Sequence, residues 1–194
     1  MFSAFLDTSV LWPSLQRDFL LSMAAEGLYR PLWSEAILEE LHEHEARKLA
    51  GRGATNDEAL ARSEHLIDRL CSAFDDALVT GWEALEGTFG LPDPDDEHVV
   101  SAAFVGGAGV IVTDNLKHFP TENLPRHIDV QSAREFAANT VSVDPSRAAK
   151  ALIEISMRHR NPKHSAKELL ELLTTRYSMG EVADLVAPVL TGHE

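Results

Sequence analysis

The sequence predicts an α/β domain built on a central, mostly parallel sheet flanked by helices, with a helical extension at its C-terminal end. Three observations carry this expectation. Short apolar runs alternate with longer segments whose apolar residues recur at helical spacing, the pattern of strand–helix–strand units. Two of those runs, "FSAFLD" and "GVIVT", close at an aspartate or directly before one, and parallel sheets place their sites outside the C-terminal ends of strands. From "SVDPSRAAK" onward the pattern is purely helical, so residues 1–140 read as the domain and 141–194 as the extension.

The first strand, "FSAFLD", ends at Asp7, and a helix follows from about Pro13, with Leu15, Phe19, Leu20 and Met23 at helical spacing and Gly27 as its stop. "LYRPLW" is a short extended piece. Ser34 then caps a helix through "EAILEELHEHEARKLA" to Gly51 and Gly53. Thr55 and Glu58 have capping-box spacing for a third helix that ends near Phe74. "ALVTG" reads as a second strand, and a helix from Pro94 runs to Gly106. "GVIVT" is a buried strand, "HIDVQ" a further short one, and "SAREFAAN" a helix. In the extension, Asp144 caps a helix with Pro145 at its first position, and Ser165/Glu168 and Ser178/Glu181 have capping-box spacing, for three short helices in all.

Composition narrows the class. The chain is 44% hydrophobic and 25% charged, an ordinary globular balance. No apolar run approaches the roughly 18 residues that span a bilayer. The start lacks the basic region and apolar stretch of a secretory leader, so a cytoplasmic protein without a membrane partner is expected. The single Cys71 cannot form an internal disulfide and reads as a small apolar side chain on a helix. The net charge of −14 is carried entirely by residues 1–140, because 141–194 hold seven basic and seven acidic residues. That balance argues against nucleic-acid binding by phosphate neutralisation alone. It fits a site that collects cations, or a surface that receives a basic partner.

Within "PDPDDEH", four carboxylates precede an apolar helix. With Pro94 at the first helical position, Asp93 is the cap, and Asp96 shares a face with Val99, Val100 and Ala103. Asp95 and Glu97 flank that face, while His98 points away from it. Asp93, Asp95 and Glu97 are accounted for as a cap cluster that complements the helix dipole. Asp96 instead heads the stripe that should be buried, where a carboxylate needs a cation or several donors. In "WSEAILEEL", Glu40 borders the stripe of Trp33, Ile37 and Leu41, about 60° from Ile37, whereas Glu39 lies about 160° round, toward solvent. Asp7 and Asp114 stand at strand ends, where the plain reading is a turn or cap. Two strand-end carboxylates together with two at the edges of helix cores point to an all-oxygen site, which selects Mg²⁺ or Mn²⁺ over zinc. "HEHE", by contrast, lacks zinc-motif spacing, since His42 and His44 are separated by about 200° of rotation, and reads as a solvated face.

Four stretches, "FLDTSVLWP", "LWSEAILEELHEH", "LPDPDDEHVVSAAFVGGAGVIVTDNLKHFP" and "HIDVQSAREF", together resemble the PIN-domain family, close to the VapC-like toxins of bacterial toxin–antitoxin modules, over roughly residues 2–138. The resemblance implies a metal-dependent ribonuclease with Asp7, Glu40 and Asp96 as its first three acids and Mg²⁺ or Mn²⁺ as cofactor. The fourth position falls on Asn115, an uncharged amide that can still offer a carbonyl oxygen, with Asp114 beside it as a further ligand. Thr8, Ser9 and Thr113 would be hydroxyls that orient the acids. Hydrolysis would leave a 5′-phosphate and a 3′-hydroxyl. The resemblance further implies an RNA substrate, a cognate antitoxin that blocks the acidic site, and a homodimer.

The basic residues available to RNA are Lys117 and His118, just past the acids, and Arg158, Arg160 and Lys163 in "MRHRNPKH", which otherwise reads as a solvated turn. A haloacid-dehalogenase-like phosphatase would need a second aspartate where Ser9 stands, and a dinucleotide-binding protein would need a glycine fingerprint that "DTSVLW" lacks. The remaining alternative is a degenerate PIN domain acting as a binding module, for which Asn115 is the main support.

Overall fold

The structure is a computed structural model that describes residues 2–158 and 162–191, so Arg160 lies outside the described residues. The chain gathers into two compact units. One comprises Phe2–Trp12 and Pro31–Val130, and the other contains Pro13–Arg30 and the chain from Gln131 onward. Among the described residues, no helix is long and apolar enough to cross a membrane.

The first of these units is organised by the sheet. Its strands are β1 (Ser3–Leu6), β2 (Arg30–Ser34), β3 (Leu78–Val79), β4 (Val110–Val112) and β5 (Asp129–Gln131). They form one all-parallel sheet in the order β3-β2-β1-β4-β5. The sequence leads one to expect a mostly parallel sheet; no antiparallel strand is present among the described residues. Ala4, Phe5 and Leu6 of β1 and all of β4 are buried, so neither strand alternates, as parallel strands covered on both faces require. The chain winds outward from β1 to β3 and then returns to the other side of β1 as β4. The β1–β4 junction is therefore the switch point of the sheet, where open α/β folds form their sites. There Leu6 pairs with Val112, so Asp7 and Thr113 leave the sheet side by side.

Local chemistry fixes the helices of this unit. A single-turn helix that the sequence reading did not anticipate, α1 (Thr8–Leu11), follows β1 directly. Helix α3 (Glu35–Gly51) starts where the Ser34 hydroxyl accepts the Ile37 N–H. Helix α4 (Asn56–Ala73) has the expected Thr55/Glu58 capping box. The helix predicted from Pro94 instead opens as a 3₁₀ turn, Pro94–Asp96, and becomes α5 only over Glu97–Val105. Residues 97–103 are all buried. A helix enclosed on every side has no single apolar stripe, so His98, expected to point away, lies inside, and Glu97 with it. Gly106 closes α5 hard against the sheet: a Cβ there would meet Val79 Cγ2 at 2.7 Å and Leu32 Cδ1 at 3.1 Å.

The other unit contains α2 (Ser14–Ala25), α6 (Ala133–Val143), α7 (Pro145–Arg158), α8 (Ala166–Tyr177) and α9 (Gly180–Leu190). Arg147 donates to the Glu26 carbonyl at 3.2 Å, Lys150 pairs with the Glu26 carboxylate at 2.9 Å, and Arg158 donates to the Ser22 hydroxyl at 2.8 Å. Tyr29 is buried, with its hydroxyl on the Leu20 carbonyl and its ring edge-on to Phe136. Capping boxes start α6 at Ser132/Glu135 and α8 at Ser165/Glu168, and Asp144 accepts the Arg147 N–H at the start of α7. The third expected box, Ser178/Glu181, does not form. Ser178 sits at φ 56° as the left-handed cap that closes α8 onto the Leu173 carbonyl, and α9 begins from Met179.

The packing at Gly106 is open to test. Gly106→Ala is expected to lose about 1–3 kcal/mol in urea unfolding, because the stiff Val79 side chain cannot yield. Gly51→Ala, with nothing within 4 Å, is expected to be neutral or to gain up to about 1 kcal/mol.

Candidate active site

The switch point delivers the first carboxylate. Asp7 continues the β1–β4 ladder through its N–H, which donates to the Val112 carbonyl at 3.0 Å, and its side chain is buried. Ser9 and Thr113 both donate to Asp7 Oδ2 at 2.6 Å, and the two hydroxyls lie 3.2 Å apart. The same hydroxyls anchor the next loop, since Asp114 N–H donates to Ser9 Oγ and Asn115 N–H to Thr113 Oγ1, each at 3.0 Å. Asp7 Oδ1 has no hydrogen bond among the described residues. Asp114, Asn115 and Lys117 are exposed on that loop.

Helix α3 delivers Glu40. Thr8 Oγ1 donates to Glu40 Oε2 at 2.5 Å, and His98 Nε2 lies 3.2 Å from Oε1. His98 is buried against the Trp82 ring, 6.0 Å between centroids. The 3₁₀ turn delivers the rest. Asp93 caps it by accepting the Asp95 N–H, and Asp96 lies 2.7 Å from His118 Nδ1. Glu97 fixes the approach to that turn: its buried carboxylate accepts the Phe89 N–H at 3.0 Å and the Leu91 N–H at 2.8 Å. Asn123 secures the same loop through the Phe89 and Gly90 carbonyls.

Asp93, Asp96 and His118 bring ligand atoms within 4.8 Å of one another, the one such group of three or more among the described residues. Asp7 and Glu40 stand outside it, each oriented by hydroxyls. Of the basic residues considered for RNA, His118 is engaged with Asp96, Lys117 is exposed beside it, and Arg158 and Lys163 belong to the other compact unit. Sequence reasoning missed His98 as a carboxylate partner because it treated α5 as one-sided. The "HEHE" segment is only partly solvated: His42 Nδ1 is 2.9 Å from Ser63 Oγ, and Glu45 pairs with Lys48.

The electrostatics distinguish two halves. Burial raises the Glu40 carboxyl, but the hydrogen bonds from His98 and Thr8, with the charges of His98 and His44, hold it below the ordinary glutamate range. Burial lowers His98, but the bond to Glu40 and the charges of Glu40, Asp7 and Glu86 hold it above the usual histidine range. Asp96 moves the other way. Burial raises it, the Asp93 and Asp7 charges add to the rise, and the bond and charge of His118 offset only part. A carboxylate destabilised by burial, and further by two like charges, is a place where a cation is favoured. Two carboxylates and one imidazole, Asp93, Asp96 and His118, could hold a divalent metal ion.

The linkage signs follow from these directions. Glu40's share of the ion pair is present above the reference value of 4.5 and is lost as the pH falls through its lowered pKa. His98's share is complete below 6.5 and is lost as the pH rises through its raised pKa. An NMR titration is therefore expected to place His98 above 6.5 in the wild type and lower in Glu40→Gln. An unchanged titration would contradict the pairing.

The family model for the PIN domain matches residues 3–117, a span that includes Asp7, Glu40, Asp93 and Asp96 and stops one residue short of His118. No match was found among curated proteins or among solved structures. PIN domains are generally metal-dependent nucleases. The match covers more than half of the 194 residues and the β1–β4 junction with its carboxylates, and the chain belongs to the PIN-domain family.

Proposed function

We propose that this protein is a metal-dependent endoribonuclease that hydrolyses RNA phosphodiester bonds, the VapC-like toxin component of a type II toxin–antitoxin system. The observation that carries the proposal is the group of Asp93, Asp96 and His118, whose ligand atoms lie within 4.8 Å of one another in a PIN domain that also sets Asp7 at the switch point of its sheet. Asp7, Glu40 and Asp96 are the proposed acids, with Asp114 and the Asn115 carbonyl as further ligands to Mg²⁺ or Mn²⁺. When bound, such a cation lowers the pKa of a water molecule and stabilises charge on the phosphodiester.

The chain's own part is orientation. Ser9 and Thr113 hold Asp7 by Oδ2, which turns Oδ1 to a ligand, and Thr8 and His98 fix both oxygens of Glu40. Asn115 supplies an oxygen without charge, which lowers the negative charge that an approaching RNA phosphate meets. Residues 93–97 add negative potential that draws the cation in. A basic antitoxin segment would find the same potential, which supports a proteinaceous inhibitor at this site, and a homodimer accompanies the proposal from the family resemblance.

The test is Mn²⁺-dependent cleavage of structured and unstructured RNA by purified protein. Asp7→Asn and Asp96→Asn are each expected to lower cleavage by on the order of 100-fold or more, and Thr113→Val by about 10–100-fold. Growth arrest on expression of the wild type, relieved by Asp96→Asn, would support the toxin assignment. A folded, inhibitor-free wild type that cleaves none of the RNAs would overturn the nuclease in favour of a binding module.

A further inference from the structure

Helices α1 and α3 meet in two successive rungs. In the first, Thr8 donates to Glu40. Trp12 lies four residues beyond Thr8, and its N–H donates to the Thr8 carbonyl, so it falls on the same helix face one turn along. His44 lies four residues beyond Glu40 on α3. The second rung is the Trp12–His44 pair, offset-stacked with ring centroids 6.4 Å apart and planes at 29°. The aromatic pair therefore sits one helical turn, about 5–6 Å, from the carboxylate contact.

The exposure of this indole is the unusual feature. Trp33 and Trp82 are 0% and 8% exposed, whereas Trp12 is 44% exposed beside the acidic site. Lys48, one further turn along α3, reaches the Trp12 carbonyl at 3.5 Å and pairs with Glu45, so it positions the platform. The chain carries a net charge of −14, so phosphate neutralisation alone does not account for binding an anionic strand. The π face of an unpaired base is neutral, and stacking on an aromatic ring holds it without regard to the charge around it.

We propose that Trp12, backed by His44, is a stacking platform for a nucleobase of single-stranded RNA next to the phosphate held at the carboxylate site. The proposal rests on the nuclease reading and deepens it by naming the side chain that would hold a base beside the carboxylates, a role it can play only for an unpaired base, since a base inside a duplex presents no free face.

The probe is a labelled RNA single strand of about eight nucleotides, bound in Ca²⁺ in place of the Mn²⁺ used for cleavage, checked for intactness after binding, and followed by fluorescence anisotropy. Trp12→Ala is expected to weaken binding about tenfold, while Trp12→Phe stays within about threefold of the wild type. The Trp12→Ala ratio is expected to hold from about 50 to 200 mM salt, because stacking releases no counterions. His44→Ala weakens binding less than Trp12→Ala. Equal binding by wild type and Trp12→Ala, an equal loss for the matching duplex, or no binding by the wild type would each overturn the platform. Binding that depends on Trp12 in a protein that cleaves no RNA would uphold the platform and sink the nuclease reading instead.

Discussion

The cost of burying carboxylates together at the end of the β1–β4 pair is the constraint around which this unit is organised. Burial disfavours the charge of Asp96 most, and the charges of Asp93 and Asp7 add to that. Negative groups remain together only where donors or cations hold them. The chain supplies donors from every neighbouring element: Ser9 and Thr113 on Asp7, Thr8 and His98 on Glu40, and His118 on Asp96. The all-parallel topology makes this possible, because strands running the same way end at the same edge. Two adjacent strands then deliver an aspartate and its threonine partner side by side.

The two histidines divide the cluster. His98 is enclosed with Glu40 and Trp82, and each member of that pair favours the charged form of the other. Asp96 gains only partial relief from His118. The Glu40 side is thus electrostatically satisfied by the protein itself, while the Asp93–Asp96 side retains an excess of negative charge. A cation entering the cluster meets that second side as the less compensated one. The platform proposed at Trp12 would add a neutral aromatic face one helical turn from the Thr8–Glu40 contact without adding charge.

Much of the architecture was legible because it rests on local rules. Ser34, Thr55, Ser132 and Ser165 announce their helices by side-chain chemistry that acts within three residues. Continuous apolar runs at β1 and β4 announce covered parallel strands. What the sequence concealed depends on tertiary surroundings. A helical wheel places His98 outward, and only the packing of α5 on every side turns it inward to Glu40. Ser178 has the spacing of a cap, but the preceding helix needed a left-handed residue there more than α9 needed a hydroxyl. The apolar spacing of α2 shows that one face is buried without saying that α2 gathers with the helices beyond residue 131. Glu97 looked like one more charge in a run, yet it is the buried latch that fixes the loop before Asp93.

Mn²⁺ titration by calorimetry tests the central claim, that the excess negative charge around Asp96 exists to hold a divalent cation. The wild type is expected to bind Mn²⁺ saturably, and Asp96→Asn to bind it weaker by on the order of 10–100-fold or more, with its fold unchanged by circular dichroism. Equal Mn²⁺ affinity in the two proteins, or no saturable binding by the folded wild type, would contradict the claim.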